Sequence, residues 1–131
     1  MQISENFKLE EFLRSSSYPY IDNNPLPEER SNIIALVTNV LQPLRTLCNQ
    51  PLQINSGYRS PALNRAVGGV PTSQHCKGQA ADVACPNPKL LLDLMRINNI
   101  EFDQCGIYKN FCHISFRKLG GNRREVFYGK Y

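Results

Sequence analysis

Two histidines and one aspartate of this sequence could together bind a metal ion. The chain contains only two histidines, His75 and His113. On a strand, His113 would share a face with Ser115 and point away from the apolar layer, and Asp82 would lie between two alanines that leave space beside its carboxylate. Two nitrogens and one carboxylate suit catalytic zinc, which keeps a fourth position for water. The spacing alone also fits a hydrogen-bonded structural histidine and an aspartate in a turn or a cap.

The helices and strands that carry these residues are predicted from hydrophobic periodicity and from helix breakers. A long helix is predicted from Pro27 to about Cys48, with a kink or break near Leu41 because Pro43 cannot donate a backbone hydrogen bond. The shorter predicted elements are helices at 8–14, 61–66 and 88–98 and strands at 52–56, 79–85, 104–108, 112–116 and 125–128. Helices followed by mostly hairpin-linked strands predict an α+β fold, in which helices pack on a small antiparallel sheet.

Length and composition favour one globular domain over residues 1–131. The chain has 41% hydrophobic and 20% charged residues and a formal net charge of +4. No apolar run reaches the roughly 18 residues of a membrane span, and no nucleic-acid motif is present, so we expect neither membrane insertion nor a nucleic-acid partner. The segment from Met1 to Lys8 lacks the pattern of a secretory signal peptide, which predicts synthesis in the cytoplasm.

The five cysteines and the basic C-terminal segment each allow two interpretations. An odd number of cysteines without a C-x-x-C motif favours reduced thiols over a disulfide framework. Cys112 is expected in the core, whereas Cys76, next to His75, could approach a metal as an extra ligand. The basic residues either meet an anionic polymer or form a solvated surface, and they are Arg117, Lys118, Arg123, Arg124 and Lys130.

Three segments together resemble one family of peptidases. The segment from Ser73 to Asp82 fits the pattern S-x-H-x-x-G-x-A-x-D of the zinc D-Ala-D-Ala carboxypeptidase family at every defined position. Upstream, Ser56 to Pro61 is similar to the S-G-Y-R-S-P segment of that family, and downstream Cys112 to Ser115 is similar to the strand that carries its third zinc ligand. The segments occur in the family order, and the likeness extends from about residue 7 to residue 123.

The resemblance implies a role for each matching residue. It implies that His75, Asp82 and His113 bind Zn²⁺ and that Arg59 binds substrate or stabilises the oxyanion, as a catalytic cation. It places Ser73 beside the substrate, which in this family is a peptidoglycan stem peptide. The implied fold is the small α+β zinc peptidase domain of the family, and the implied chemistry is hydrolysis of a peptide bond by metal-activated water.

The chain departs from the family pattern at the position of the general base. Many members carry Glu or Asp three residues before the third ligand, where this chain has Asn110, and an amide cannot accept a proton from water. A second branch also lacks that acid but often has Asp two residues after the histidine, where this chain has Ser115. Among the remaining acids, Asp103 is the candidate base; as an alternative, it is a strand-entry residue that bonds to backbone.

Two functional hypotheses follow. The first is a zinc metallopeptidase that cleaves the stem peptide as a D,D-carboxypeptidase or endopeptidase, similar to small phage lysins that act on the cell wall after release. The second is a non-catalytic zinc-containing module that binds cell wall or belongs to a virion, which Asn110 keeps open. The sequence specifies neither the cleaved bond nor the oligomeric state.

Overall fold

A short hairpin opens the structure, a computed structural model that describes residues 1–129. Strands β1 (Gln2–Ser4) and β2 (Phe7–Lys8) pair antiparallel and lead into one 3-10 turn at Leu9–Phe12. The helix predicted at 8–14 is therefore reduced to that turn. Phe12 is buried, and its backbone carbonyl accepts a hydrogen bond from the N–H of Tyr58 at 2.8 Å, which ties the N-terminal region to the segment before the site.

The long predicted helix is present and is interrupted just before Pro43. Helix α1 (Pro27–Leu36) continues through a π-helical segment, Val37–Leu41, into α2 (Gln42–Cys48). The N–H of Gln42 bonds to the carbonyl of Val37, five residues back. Because Pro43 has no N–H and its ring would clash with the carbonyl four residues earlier, the chain widens by one residue just before it. The prediction of an interruption near Leu41 is confirmed.

The remaining elements are the other predicted helices and strands, each within a few residues of its predicted bounds, and one 3-10 turn that the sequence did not predict. They are β3 (Gln53–Ser56), α3 (Pro61–Ala66), a 3-10 turn (Gln74–Lys77), β4 (Ala80–Ala84), α4 (Pro88–Ile97), β5 (Gln104–Ile107), β6 (Phe111–Ser115) and β7 (Glu125–Tyr128). Proline begins α1, α3 and α4, where its missing N–H costs nothing. Within residues 1–129, no helix combines the length and the apolar composition needed to cross a membrane.

The sheet has five strands in the order β3-β4-β6-β5-β7 and is antiparallel except at one edge. The α+β prediction is confirmed, but β7 runs parallel to β5, with Gln104 opposite Glu125. The sequence suggested only antiparallel pairing, because hairpins were assumed between successive strands. Because β6 ends where β5 starts, residues 116–124 only have to cross that end of the sheet, and β7 then begins on the other side of β5 and runs parallel to it.

One face of the sheet packs on the helices, and the other face carries the site. The buried face includes Ala81, Val83, Cys112 and Ile114, which join one apolar cluster with residues of α1, α2 and α4. Strand alternation then directs Asp82 and His113 to the opposite face, as the sequence predicted. The core residues from the helices include Ile33, Leu36, Leu41, Leu44, Leu91, Leu92 and Met95.

Candidate metal centre

Asp82 and His113 meet because of the register between two antiparallel strands. In the pairing of β4 with β6 the two residues are directly opposite, and opposite residues of such a pair point to the same face. Their side chains lie in contact, with Nδ1 of His113 3.1 Å from Oδ1 of Asp82. The strand pattern alone predicted the face for each residue, and the register brings the two together.

His75 reaches the same carboxylate from the 3-10 turn that precedes β4. The Oγ of Ser73 caps this turn by accepting the N–H of His75 at 3.2 Å, and Gly78 closes it with a left-handed φ of 73°. A Cβ on Gly78 would collide with the backbone carbonyl of Glu29, so glycine lets the turn lie against α1. His75 is buried, and its Nε2 lies 3.3 Å from Oδ1 of Asp82.

A backbone carbonyl fixes the tautomer of His75. Nδ1 of the ring lies 2.7 Å from the carbonyl oxygen of Gly57, and a carbonyl can only accept, so Nδ1 must carry the proton. In the neutral ring Nε2 therefore presents a lone pair toward Asp82, the arrangement that metal-binding histidines use. Gly57 itself packs against the N-terminal region, where a Cβ on it would lie 2.7 Å from the Cα of Phe12.

The donor set fits a zinc ion. One ligand atom from each of His75, Asp82 and His113 lies within 4.8 Å of the other two, and this is a group of residues that could hold a metal. Without a cation, the lone pair of neutral His75 would face a carboxylate oxygen, which is unfavourable; a cation between them removes that conflict. Two imidazoles and one carboxylate with an open side are a known donor set for catalytic zinc.

Asp82 is ionised at neutral pH. Burial by itself would raise the pKa of this carboxyl, but its close contacts with the imidazoles of His113 and His75 outweigh burial and lower the pKa below its usual range. A carboxylate rather than a carboxylic acid is the form that binds a metal. Cys76, the possible extra ligand, does not belong to the metal-binding group found among residues 1–129.

Arg59 and Ser73, which the resemblance places at the substrate, border the cluster in the structure. The N–H of Arg59 donates to the carbonyl of His75 at 3.1 Å, and its Nη2 donates to Oγ of Ser73 at 3.5 Å. Arg59 and Asp82 line two adjoining clefts, one of which also contains both histidines. Within residues 1–129, Nε of Arg59 has no hydrogen-bond partner. A guanidinium group therefore lies next to the three metal-ligand candidates.

Asp103, the candidate general base, is engaged elsewhere. Its side chain is fully buried, with Oδ1 accepting from the N–H and Nε of Arg123 at 3.0 Å each and Oδ2 accepting from Nη2 at 2.8 Å. Burial would raise the pKa of Asp103, but the bonds from Arg123 and Gln74 and the charge of Arg117 lower it to about 2. Asn110 lies exposed in the turn between β5 and β6, where its carbonyl accepts the N–H of Cys85.

Sequence reasoning missed an aromatic wall beside His113. Tyr108 stacks on Phe111 with ring centroids 4.4 Å apart, and Phe127 lies 6.1 Å from the His113 ring. These rings line a cavity of about 310 Å³ that also contains the metal-ligand candidates. In the sequence, Gly106 could have indicated this wall. It lies opposite His113 in β5, and a Cβ at this position would collide with the Phe127 ring. A glycine within a strand often marks such a close approach.

The comparison with protein families agrees with this geometry. No curated protein matches the chain. The family model described as Peptidase M15 matches residues 5–115, a range that contains both histidines, Asp82 and Arg59. This match supports the resemblance based on the Ser73–Asp82 segment. With the match covering most of its length, the chain belongs to the peptidase M15 family.

Proposed function

We propose that the protein hydrolyses a peptide bond in the peptidoglycan stem peptide, with His75, Asp82 and His113 holding a zinc ion. The observation that carries this proposal is the convergence of the three side chains, within 4.8 Å, in a chain of the peptidase M15 family. Release of a terminal D-Ala (D,D-carboxypeptidase) and internal cleavage (endopeptidase) are both compatible with the open clefts beside the cluster.

The residues around the cluster have complementary roles in this proposal. Zinc, when bound, supplies a Lewis acid that polarises the scissile carbonyl and lowers the pKa of water. Gly57 holds the ring of His75 in the ligand tautomer, and Asp82 supplies the negative charge of the site. Arg59 lies where its guanidinium can offset the charge that grows on the carbonyl oxygen, and Ser73 orients Arg59 through Nη2.

We assign Asp103 a positioning role in place of proton transfer. A carboxylate that already accepts three hydrogen bonds from Arg123 and has a pKa of about 2 is a weak proton acceptor at neutral pH. The alternative expectation from the sequence, a strand-entry residue bonded to backbone, agrees better with these contacts. Its side chain accepts the backbone N–H of Arg123, and its own N–H donates to the carbonyl of Ser115.

One observation supports a second candidate function, a module that binds zinc and wall peptide without cleaving it. Among the described residues that line the clefts at the cluster, Asp82 is the sole carboxylate. No second acid is therefore at hand there to take a proton from water. A virion-associated or wall-binding role would need the metal site for folding or for substrate recognition alone.

Muropeptide digestion separates these candidates. The purified protein is incubated with muropeptides, with and without a chelator, and the products are analysed by mass spectrometry. We expect cleavage that the chelator abolishes. Release of D-Ala would identify a carboxypeptidase, and cleavage after L-Ala would identify an endopeptidase. Intact muropeptides with one bound zinc per chain would contradict the peptidase and support the binding module.

Replacement of a proposed ligand tests the metal site directly. His113→Ala leaves two ligands, so we expect loss of stoichiometric zinc after dialysis, measured by elemental analysis. Lys109→Ala, at an exposed position of the preceding turn, is the control and should retain one zinc. One tightly held zinc in the His113→Ala protein would overturn the ligand assignment.

A further inference from the structure

The basic residues after β6 separate into two groups that the sequence does not distinguish. Nζ of Lys118 bonds to Oγ of Ser31 at 2.7 Å, and Nη2 of Arg124 bonds to Oδ1 of Asn99 at 3.2 Å; neither residue lines a cavity at the candidate metal ligands. Lys130 lies outside the described residues. Arg117 and Arg123 instead converge on Asp103. Only the first group matches a simple solvated basic surface.

Asp103 holds the two arginines in fixed positions. Besides its bonds to Arg123, its Oδ2 lies 3.3 Å from Nε of Arg117 and accepts from Nε2 of Gln74 at 3.0 Å. The carboxylate is fully buried, whereas the arginine side chains are 42% and 43% exposed. Two guanidinium groups thus share one buried negative charge, and an excess positive charge faces solvent. Gln74 directly precedes His75, which connects this arrangement to the metal centre.

These arginines line a cavity that also includes one of the candidate metal ligands, His113. Its volume is about 620 Å³, and its lining includes Arg117, Arg123, Lys77 and His113. Every charged side chain among its described lining residues is basic, and most of the others offer amide or hydroxyl groups. Within residues 1–129, the terminal nitrogens of Arg117 make no hydrogen bond, although a guanidinium carries five N–H donors. The cavity is therefore suited to an anion with planar acceptor geometry.

We propose that Arg117 and Arg123, fixed by Asp103, form a carboxylate-binding subsite that selects stem peptides with a free carboxylate near the cleaved bond. This inference rests on the proposed peptidase function and adds a determinant of specificity to it. Arginine binds carboxylates through paired, charge-assisted hydrogen bonds, which a primary amide cannot replace. Both arginines lie beyond residues 5–115, the range matched by the family model.

The test compares one stem peptide with an acidic residue next to the cleaved bond and the same peptide with that carboxylate as the amide. For the zinc-loaded wild-type protein we expect kcat/KM to be about tenfold higher for the acid, mostly through KM. Arg117→Gln should reduce this preference to about one, through a higher KM for the acid peptide. Arg124→Gln, a charge change in the same segment, is the matched control and should keep the wild-type preference.

Several outcomes would overturn the subsite. Equal kcat/KM for both peptides in the wild-type protein would do so, as would an Arg117→Gln protein that keeps the tenfold preference. If neither peptide is cleaved, the peptidase proposal fails. Calorimetry then measures how tightly the zinc-loaded proteins bind each peptide. Tighter binding of the acid peptide that Arg117→Gln removes supports the subsite, and equal binding of the two peptides rejects it. Arg123→Gln serves as a second variant, with its thermal midpoint measured first because it leaves Asp103 with fewer donors.

Discussion

At the scale of single residues, the candidate metal centre depends on hydrogen bonds that fix the ring of His75 and the guanidinium of Arg59. Gly57 sets the tautomer of His75, and Ser73 holds both the turn of His75 and Arg59. Such fixed partners reduce the reorganisation that a reaction would require. The groups that hold His75 and Arg59 are therefore a backbone carbonyl and a hydroxyl rather than further carboxylates.

Arg59→Gln should separate catalysis from metal binding. The amide removes the charge that offsets the developing oxyanion, so we expect kcat to fall by about 10²–10³ with zinc content unchanged. Muropeptide cleavage rates and elemental analysis of the same samples provide the measurement. Arg65→Gln, on the exposed side of α3, is the matched control and should behave as wild type. An Arg59→Gln protein with wild-type kcat would remove Arg59 from the mechanism.

Asp103→Asn should lower stability in a manner that depends on pH. The folded pKa of Asp103, about 2, lies below the ordinary value of about 3.9, so its stabilising contribution is complete above pH 4 and is lost as the pH falls toward 2. We expect the variant to be about 2 kcal/mol less stable at pH 7, because charge-assisted bonds to Arg123 are lost.

The measurement is urea unfolding of the wild-type and Asp103→Asn proteins at pH 7 and at pH 2.5. A chelator is present, which removes any effect of metal. The difference between the two free energies of unfolding should shrink at the lower pH. Asp93→Asn, an exposed change on α4, controls for loss of a negative charge. A difference that stays constant between the two pH values would contradict the assigned role of Asp103.

At the scale of elements, the strand pattern predicted the faces of Asp82 and His113 but not which residues would be paired. Alternation within β4 and β6 is a local property, whereas the register of their pairing and the parallel edge strand β7 depend on contacts between distant segments. The same distinction explains the arginines. Nothing near Arg117 or Arg123 in the sequence indicates Asp103 as their partner, and the sequence offers Asp103 only as a candidate base or a strand-entry residue.

The family motif predicted more of the site than periodicity could. It supplied His75, whose turn lies outside the strands, and Arg59, whose local sequence is an ordinary turn. The aromatic wall was not predicted, because Phe127 comes from the edge strand whose position the sequence did not specify. The π segment before Pro43 was predicted only as an interruption, since the proline rule does not specify which irregular form relieves the clash.

Gly106→Ala should destabilise the edge of the sheet by a collision that a second change relieves. The new methyl group meets the Phe127 ring, so we expect a loss of about 1–3 kcal/mol in the free energy of unfolding. In Gly106→Ala/Phe127→Ala the collision is absent. The double variant should therefore lose less free energy of unfolding than the two single variants lose together. Denaturant unfolding of all four proteins gives this coupling energy. Strict additivity would show that the ring does not oppose the methyl group.

At the scale of the whole molecule, the proposed metal would join parts of the fold that are distant in the chain. The three ligand candidates come from the turn after α3, from β4 and from β6. A ligand that binds only the folded protein stabilises it by mass action, and about 2.7 kcal/mol is gained at a concentration 100 times the dissociation constant. The core itself is continuous, since the helices and one sheet face form one apolar cluster.

Zinc should therefore raise the thermal midpoint by about 10 °C at such a concentration. Differential scanning calorimetry of chelator-treated protein, with and without added zinc, measures the shift. Asp82→Asn removes the charged ligand and should show little response, whereas Asp93→Asn should respond as wild type does. A thermal midpoint that zinc leaves unchanged in the wild-type protein would argue against a metal site in the folded state.

The row of residues that crosses the sheet has a consequence for how the site is assembled. Ser56, Asp82, His113, Gly106 and Phe127 occupy neighbouring positions on the five strands. A slip of one residue in any pairing turns the side chains of that strand to the other face and dissolves the row. Because Asp82 and His113 meet only in the native register of β4 and β6, a refolding chain with a one-residue slip in that pairing could not present all three candidate ligands, and the proposed metal would select the correct alignment of these two strands.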